Sequence, residues 1–173
     1  MTSLIFYSST DGHTRKIAET LAQDWQGPVH VAPLADFDSW QGDERIRCVV
    51  IGASIRYGHF QDELLNTVSQ HKAWLNGRKS AFFGVNLTAR KPGRADPATS
   101  PYLQRFLRTS AWQPDHVALF AGKLNYPIYG FFDKHMIRLI MKMTGGCADG
   151  TSTIEYTDWH AVTRFAKAIS ALV

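Results

Sequence analysis

The chain has 173 residues, 45% of them apolar and 20% charged, which fits one domain with a full core and excludes bulk disorder. No apolar run reaches the roughly 18 residues of a membrane-spanning helix, the first residues lack the charged start of a signal peptide, and Cys48 and Cys147 show neither disulfide-framework nor metal-ligand spacing, so a cytoplasmic protein without a metal is expected. The net charge of +4 is concentrated in residues 78–142, where 11 Lys and Arg face 3 Asp and Glu, against 6 facing 9 over residues 1–77 and 2 facing 3 over 143–173. Such a stretch suits an anionic partner (nucleic acid, an acidic lipid surface or a carboxylate substrate) or is a solvated basic face.

Short apolar runs alternate with amphipathic segments along the chain. Leu4-Ile5-Phe6-Tyr7 predicts a buried strand, and the small polar loop 8–14 leads into a helix with Ile17, Ala18, Leu21, Ala22 and Trp25 on one face. Pro28 and Pro33 bracket a short strand at 29–31, and residues 34–44 read as irregular and acidic. Residues 48–52 predict a central strand, apolar on both faces. Leu64, Leu65, Val68 and Leu75 form a helix face, and residues 81–85 are a further buried strand. Ser100-Pro101 predicts a helix start before Leu103, Phe106 and Leu107, and residues 117–120 make a fifth strand. The last helix, capped by Thr157, carries Trp159, Val162, Phe165, Ile169 and Leu172. Strands separated by helices predict one domain, residues 1–173, with a parallel sheet covered on both faces and ligands at the strands' carboxyl ends.

Three loops at those ends carry the chemistry. Loop 8–14 offers Ser9, Thr10 and Thr14 hydroxyls and Gly12 before a helix N-terminus, a pattern suited to a phosphate, although Asp11 as an ordinary N-cap gives the same look. It is neither a Walker loop nor a G-x-G-x-x-G turn. Loop 53–60 holds Ser54, Arg56, Tyr57, Gly58 and His59; Tyr57 can stack on a planar ligand and Arg56 can meet a carboxylate. Gly52-x-Ser54 lacks the closing glycine of a hydrolase elbow. Loop 86–97 offers Asn86 and Thr88 to the polar edge of a heterocycle, with Arg90, Lys91 and Arg94 adding positive charge. His13, His59 and His135 lie apart without metal-like pairing, and Cys48 reads as inert core.

Residues 122–152 break the alternation and read as an insertion. A helix over 132–143, ended by Gly145-Gly146, places Lys134, Arg138 and Lys142 on one face and Phe132, Met136, Leu139, Ile140 and Met143 opposite. A basic amphipathic helix of this kind suits an anionic membrane surface, or its apolar arc packs on the domain or on a second subunit.

Taken together, Thr10-Asp11-Gly12-x-Thr14, the run from Ile51 to His59, Val85-Asn86-Leu87-x-Ala89-Arg90-Lys91-Pro92, Lys142-Met143-x-Gly145-Gly146 and Tyr156-Thr157-Asp158-Trp159 resemble the flavodoxin family over the whole chain. The likeness is narrower to its quinone-dependent protoporphyrinogen IX dehydrogenases, which also share the insertion. The resemblance implies an α/β flavodoxin-like five-stranded parallel sheet of order 2-1-3-4-5, with helices on both faces and the insertion near the fifth strand. It implies FMN as cofactor, bound by Ser9, Thr10, Asp11, Gly12, His13 and Thr14 in the first loop, by Ser54, Arg56, Tyr57 and Gly58 in the second, and by Asn86, Leu87, Thr88, Ala89 and Arg90 in the third. The flavodoxin loop has a hydroxyl residue where this chain has Asp11, which is expected to turn away and cap the helix.

The reaction implied is oxidation of protoporphyrinogen IX, in haem synthesis, with electrons passing to menaquinone or ubiquinone. Arg56, His59, Arg90 and Lys91 are the candidates for the substrate's propionates, and no side chain stands out as a general base. Phe132, Lys134, Met136, Arg138, Ile140 and Lys142 are the candidates for peripheral contact with the inner face of the cell membrane. A homo-oligomer is compatible with the sequence. An electron-carrier flavodoxin or an NAD(P)H:quinone reductase on the same fold remains an alternative; the basic middle argues against the carrier, and no nucleic-acid motif accompanies it.

Overall fold

Branched and aromatic runs become the inner strands of a parallel sheet in the computed structural model, which describes residues 2–173. The strands β1 (Thr2–Ser8), β2 (Val29–Pro33), β3 (Ile46–Ser54), β4 (Lys79–Asn86) and β5 (His116–Ala121) pair in the order β2-β1-β3-β4-β5, every neighbour parallel. The connecting helices are α1 (His13–Gln23), α2 (Asp62–Gln70), α3 (Lys72–Asn76) and α4 (Pro101–Ser110). After β5 the chain forms β6 (Lys123–Asn125), α5 (Phe131–Met143) and β7 (Thr153–Glu155), then closes with α6 (Trp159–Ser170).

Alternation along each strand sorts the core into two layers. Leu4, Phe6, Val49, Ile51 and Phe82 face α2 and α4, where they meet Leu64, Val68, Leu103 and Phe106. Their neighbours Ile5, Val50, Ala81 and Phe83 face α1 and α6, against Ile17, Leu21, Val162, Phe165 and Ile169. Gly52 is required by closeness: a Cβ there would lie 1.9 Å from the Phe83 ring. Cys48 is fully buried, and burial pushes its thiol pKa up to about 12, as an inert core group requires.

Several expectations are corrected. Asp158, not Thr157, caps α6, accepting from the Ala161 amide at 3.1 Å, while the Thr157 hydroxyl donates to the Ala121 carbonyl at 2.7 Å. Leu172 lies beyond the end of α6, and Leu75 lies on α3, because the helix turns at His71 instead of running on. The acidic stretch after β2 contains a 3₁₀ helix, Leu34–Ser39, whose Leu34 and Phe37 enter the core. The strand expected at 29–31 continues to Pro33, and α5 starts at Phe131.

The insertion leaves and returns at one place. β6 and β7 pair antiparallel, Lys123 opposite Glu155 through Asn125 opposite Thr153, and the Tyr156 amide donates to the Gly122 carbonyl at 3.1 Å. It carries a small core of its own: Leu124, Tyr126, Ile137 and Met141. Gly145, at φ +69°, ends α5, and the Gly146 amide reaches back to the Met141 carbonyl at 2.7 Å. Among the described residues, no helix is long and apolar enough to cross a membrane.

Candidate functional site

The carboxyl ends of β1, β3, β4 and β5 converge on a cavity of about 480 Å³, roofed by α5. Its wall includes Thr10, Asp11, His13 and Thr14 from the first loop, Ser54, Arg56, Tyr57 and Gly58 from the second, and Asn86, Leu87 and Thr88 from the third. Ser9, Gly12, Ala89 and Arg90, expected beside the cofactor, and His59 and Lys91, expected beside the substrate, are not part of that wall.

In the first loop, Gly12 at φ +82° stands at the N-cap of α1 and no side chain caps the helix. Asp11 therefore does not cap, contrary to expectation; its Oδ1 lies 3.4 Å from Arg56 Nη1. The first amides of α1 have no acceptor within the helix. Gln61 shapes the approach, accepting from Ser8 Oγ at 2.8 Å and donating to Thr10 Oγ1 at 3.0 Å. Thr14 is buried against the cavity. His13 Nε2 lies 2.6 Å from Thr157 Oγ1; because that hydroxyl donates to Ala121, the imidazole nitrogen is assigned as the donor. Burial, followed by Lys16 and Lys123, lowers the His13 pKa against the opposing pull of Glu155.

The second loop is a tight hairpin. Arg56 N donates to His59 O at 3.0 Å and His59 N to Arg56 O at 3.1 Å, with Tyr57 and Gly58 between them at φ +51° and +82°. Positive φ at both central residues matches the twist of a two-residue hairpin, and it displays Tyr57 in a conformation that a non-glycine residue rarely takes. A Cβ on Gly58 would meet the Tyr102 ring at 3.0 Å.

Arg56 has close acidic neighbours that its local sequence does not show. Its Nη2 lies 3.2 Å from Asp133 Oδ2, and the Tyr57 hydroxyl donates to Asp133 Oδ1. The Tyr129 ring lies 5.7 Å from the guanidinium. Burial works against the charge, but Asp11, then Tyr57 and Asp133, more than offset it and raise the Arg56 pKa.

In the third loop, Asn86 Oδ1 accepts from Thr88 Oγ1 at 3.0 Å and from the Ala89 amide at 2.7 Å, which fixes the side chain and leaves its amide N–H groups as donors. Arg90 is committed elsewhere: it donates to Leu87 O at 2.7 Å, to Thr144 O at 3.1 Å and to Thr144 Oγ1 at 2.9 Å. Arg90, expected at a substrate carboxylate, thus uses these donors within the protein, where it staples the insertion to β4's loop.

The roof was not legible as part of the site. Met136, Ile137 and Ile140 of α5 line the cavity, with Tyr102 and Tyr129 at its sides. The available signal for Tyr102 is an aromatic in the first turn of the helix that follows a ligand loop. Along α5, Ile137 and Met141 are the buried pair, while Phe132, Met136, Leu139 and Met143 form an exposed apolar row, Phe132 at 83% and Met143 at 77% exposure. Within the basic row, Arg138 Nε donates to Ala148 O at 3.0 Å, and the Lys134 and Arg138 stems lie along Gly150.

Two hydroxyls test the fit of a cofactor. Ser9 Oγ and Ser54 Oγ are buried at the first two loops with no hydrogen-bond partner within the protein. Buried polar atoms are costly unless satisfied; Ser54 Oγ lies in the cavity wall, where a polar ligand would satisfy it, and Ser9 Oγ lies in the first loop beside that wall. Among the described residues no group of three His, Cys, Asp or Glu side chains is placed to hold a metal ion.

A flavodoxin-domain family model matches residues 4–151. A protoporphyrinogen IX dehydrogenase (quinone) of Leishmania major is 46% identical over 173 residues, covering 98% of this chain and 74% of that protein. Its namesake in Escherichia coli strain K12 is 44% identical over 177 residues, covering 99% and 96%. Among solved structures, oxidised flavodoxin 2 of Bacillus cereus superposes with a TM-score of 0.57 at 16% identity, each chain covered in full, and a flavodoxin from the domain Archaea with 0.55 at 15%, covering 99% and 98%.

Proposed function

The chain belongs to the flavodoxin family and to its quinone-dependent protoporphyrinogen IX dehydrogenases, and from that premise we propose that it uses FMN to oxidise protoporphyrinogen IX to protoporphyrin IX, with a membrane quinone as acceptor, in haem synthesis. The observation that carries the reading is the meeting of three polar strand-end loops in one cavity, with the Ser54 hydroxyl unpartnered in its wall and the Ser9 hydroxyl unpartnered in the first loop beside it. Ser9, Thr10, Gly12 and Thr14, with the first amides of α1, would hold the monophosphate. Ser54, Tyr57, Gly58, Asn86, Leu87 and Thr88 would hold the ring. Arg56 pairs with Asp11 and so relieves the repulsion between that carboxylate and a phosphate. A bound flavin supplies the electron relay between donor and acceptor.

The chain's own part is positioning. Met136, Ile137 and Ile140 exclude water above the cavity, and Arg56 is the cation at the mouth suited to a propionate. The exposed apolar row of α5, with Phe131 beside it, would lie in the interface of the cell membrane's inner face, where quinone and porphyrinogen both partition.

The test is a spectrum of the purified protein, anaerobic addition of the porphyrinogen, then addition of menaquinone or ubiquinone. Bleaching of FMN followed by its recovery is expected. Release of FAD alone overturns the cofactor, reduction by NADPH without response to the porphyrinogen favours a quinone reductase, and reduction by neither favours a carrier. Thr14→Ala is expected to weaken FMN binding by about 1 kcal/mol, the scale of one hydrogen bond. For the membrane, co-sedimentation with anionic vesicles should be lost in a Phe132/Leu139/Met143 to Ser variant that still holds FMN; equal sedimentation of variant and wild type rules that contact out.

A further inference from the structure

Two carboxylates share one guanidinium at the cavity mouth. Asp11 and Asp133 stand 3.4 and 3.2 Å from Arg56, and Tyr57 donates a further hydrogen bond to Asp133. One arginine and two aspartates leave the cluster with a net charge of −1, in a mouth that, on the reading above, must admit a ligand with two carboxylates.

The two aspartates are not equally held. Asp11 belongs to the phosphate loop, whose place is set by α1. Asp133 sits on the first turn of α5, where Phe131 and Phe132 are 71% and 83% exposed and the next buried anchor is Ile137. The Asp133 side chain is 43% exposed, so water is at hand to take over its carboxylate when the contacts to Arg56 and Tyr57 break. Tyr57 is displayed at positive φ, a strained conformation of the kind that collects at ligand clamps and switches. A guanidinium edge and a phenol O–H together are the donors that any free carboxylate would use.

We infer that Asp133 is a specificity-determining residue, whose carboxylate holds the place of a substrate carboxylate on Arg56 and Tyr57 until a carboxylate ligand displaces it. The inference rests on the porphyrinogen reading. Exchange of one carboxylate for another leaves the charge at Arg56 unchanged, whereas an uncharged ligand has nothing to offer Arg56 and Tyr57 and leaves the Asp133 contacts in place. Asp133 thus lowers affinity for the acid and not for the ester, by competing at Arg56 rather than by touching the bound substrate. Displacement would also free the first turn of α5.

The experiment uses the full FMN-loaded chain and two fluorescent probes, protoporphyrin IX and its dimethyl ester. Asp133→Asn should bind the diacid about tenfold more tightly than wild type, as loss of a charged competitor predicts, and the ester within about twofold. Asp133→Glu should restore wild-type affinity for the diacid. In the wild type, the diacid should speed amide hydrogen exchange over residues 131–136, and the ester should not. Diacid binding that Asp133→Asn leaves unchanged or weakens, or an equal gain for both probes, overturns the inference alone. If neither probe binds either protein and the porphyrinogen does not bleach the flavin, the substrate reading fails and the inference falls with it.

Discussion

Where the sheet is held by side chains that never meet water, the insertion is held by four buried side chains and a set of polar ties. Phe82 lies within 5.0 to 5.8 Å of the rings of Phe60, Phe106 and Trp112 in a layer that runs under every strand. Residues 122–152 rely on Leu124, Tyr126, Ile137 and Met141, then on Arg56 with Asp133, Arg90 with Thr144, and the Tyr126 hydroxyl on Cys147 O at 2.7 Å. Burial over a continuous core makes unfolding global, whereas a small satellite core with exposed ties opens locally at much lower cost. The rigid half positions the cofactor loops and the looser half forms the roof.

That contrast can be broken or sharpened. Phe82→Ala is expected to cost about 3–5 kcal/mol and to lower the single unfolding transition of the whole protein in urea. Met141→Ala should cost roughly 2–3 kcal/mol, but within the insertion. It should raise proteolysis within residues 126–143 and leave the main urea midpoint nearly unmoved. If the midpoint falls as far as in Phe82→Ala, the two regions are one cooperative unit and the contrast fails.

Arg90→Ala should cost about 1–2 kcal/mol of the same local stability, because three hydrogen bonds go together. Arg90→Lys should not rescue it, since an ammonium lacks the planar fork that reaches Leu87 and Thr144 at once. KM for the porphyrinogen shifting in both variants without any change in proteolysis would restore Arg90 to the substrate.

The smallest effect is one of pH, at the seam between α1 and β7. The folded state favours neutral His13, so its contribution is complete above the ordinary value of 6.5 and is lost as pH falls from there through the lowered pKa. Glu155, lowered chiefly by its hydrogen bond from Lys16, adds stability above 4.5 that is lost further down. The urea midpoint should therefore drop on going from pH 7 to pH 5.5, and His13→Asn should flatten that drop. An unchanged slope in the variant removes His13 from the account.

The sheet was legible because its information is local. Leu4 to Tyr7 and Ala81 to Val85 are apolar on both faces wherever they lie, and Ser100-Pro101 and Gly145-Gly146 mark helix ends by their own chemistry. The three loops that meet at the cavity followed from their places after strands. The latches did not, because Arg56 meets Asp133 across 77 positions and Arg90 meets Thr144 across 54, and no periodicity announces a pair so far apart. Charge read locally made both arginines look free. Thr157 and Asp158 are both cap-forming residues, and only the position of His13 and the Ala121 carbonyl decides that the threonine turns the other way.

The short ladder between β6 and β7 makes residues 122–152 behave as a cassette. Chain entry and exit are fastened side by side, so α6 begins at the same point whatever happens at the far end. Lengthening such a closed excursion raises its closure entropy only slowly, by about 0.6 kcal/mol for each doubling. The roof of the cavity can thus be rebuilt, extended or exchanged in the course of evolution while the flavodoxin sheet beneath it keeps its register.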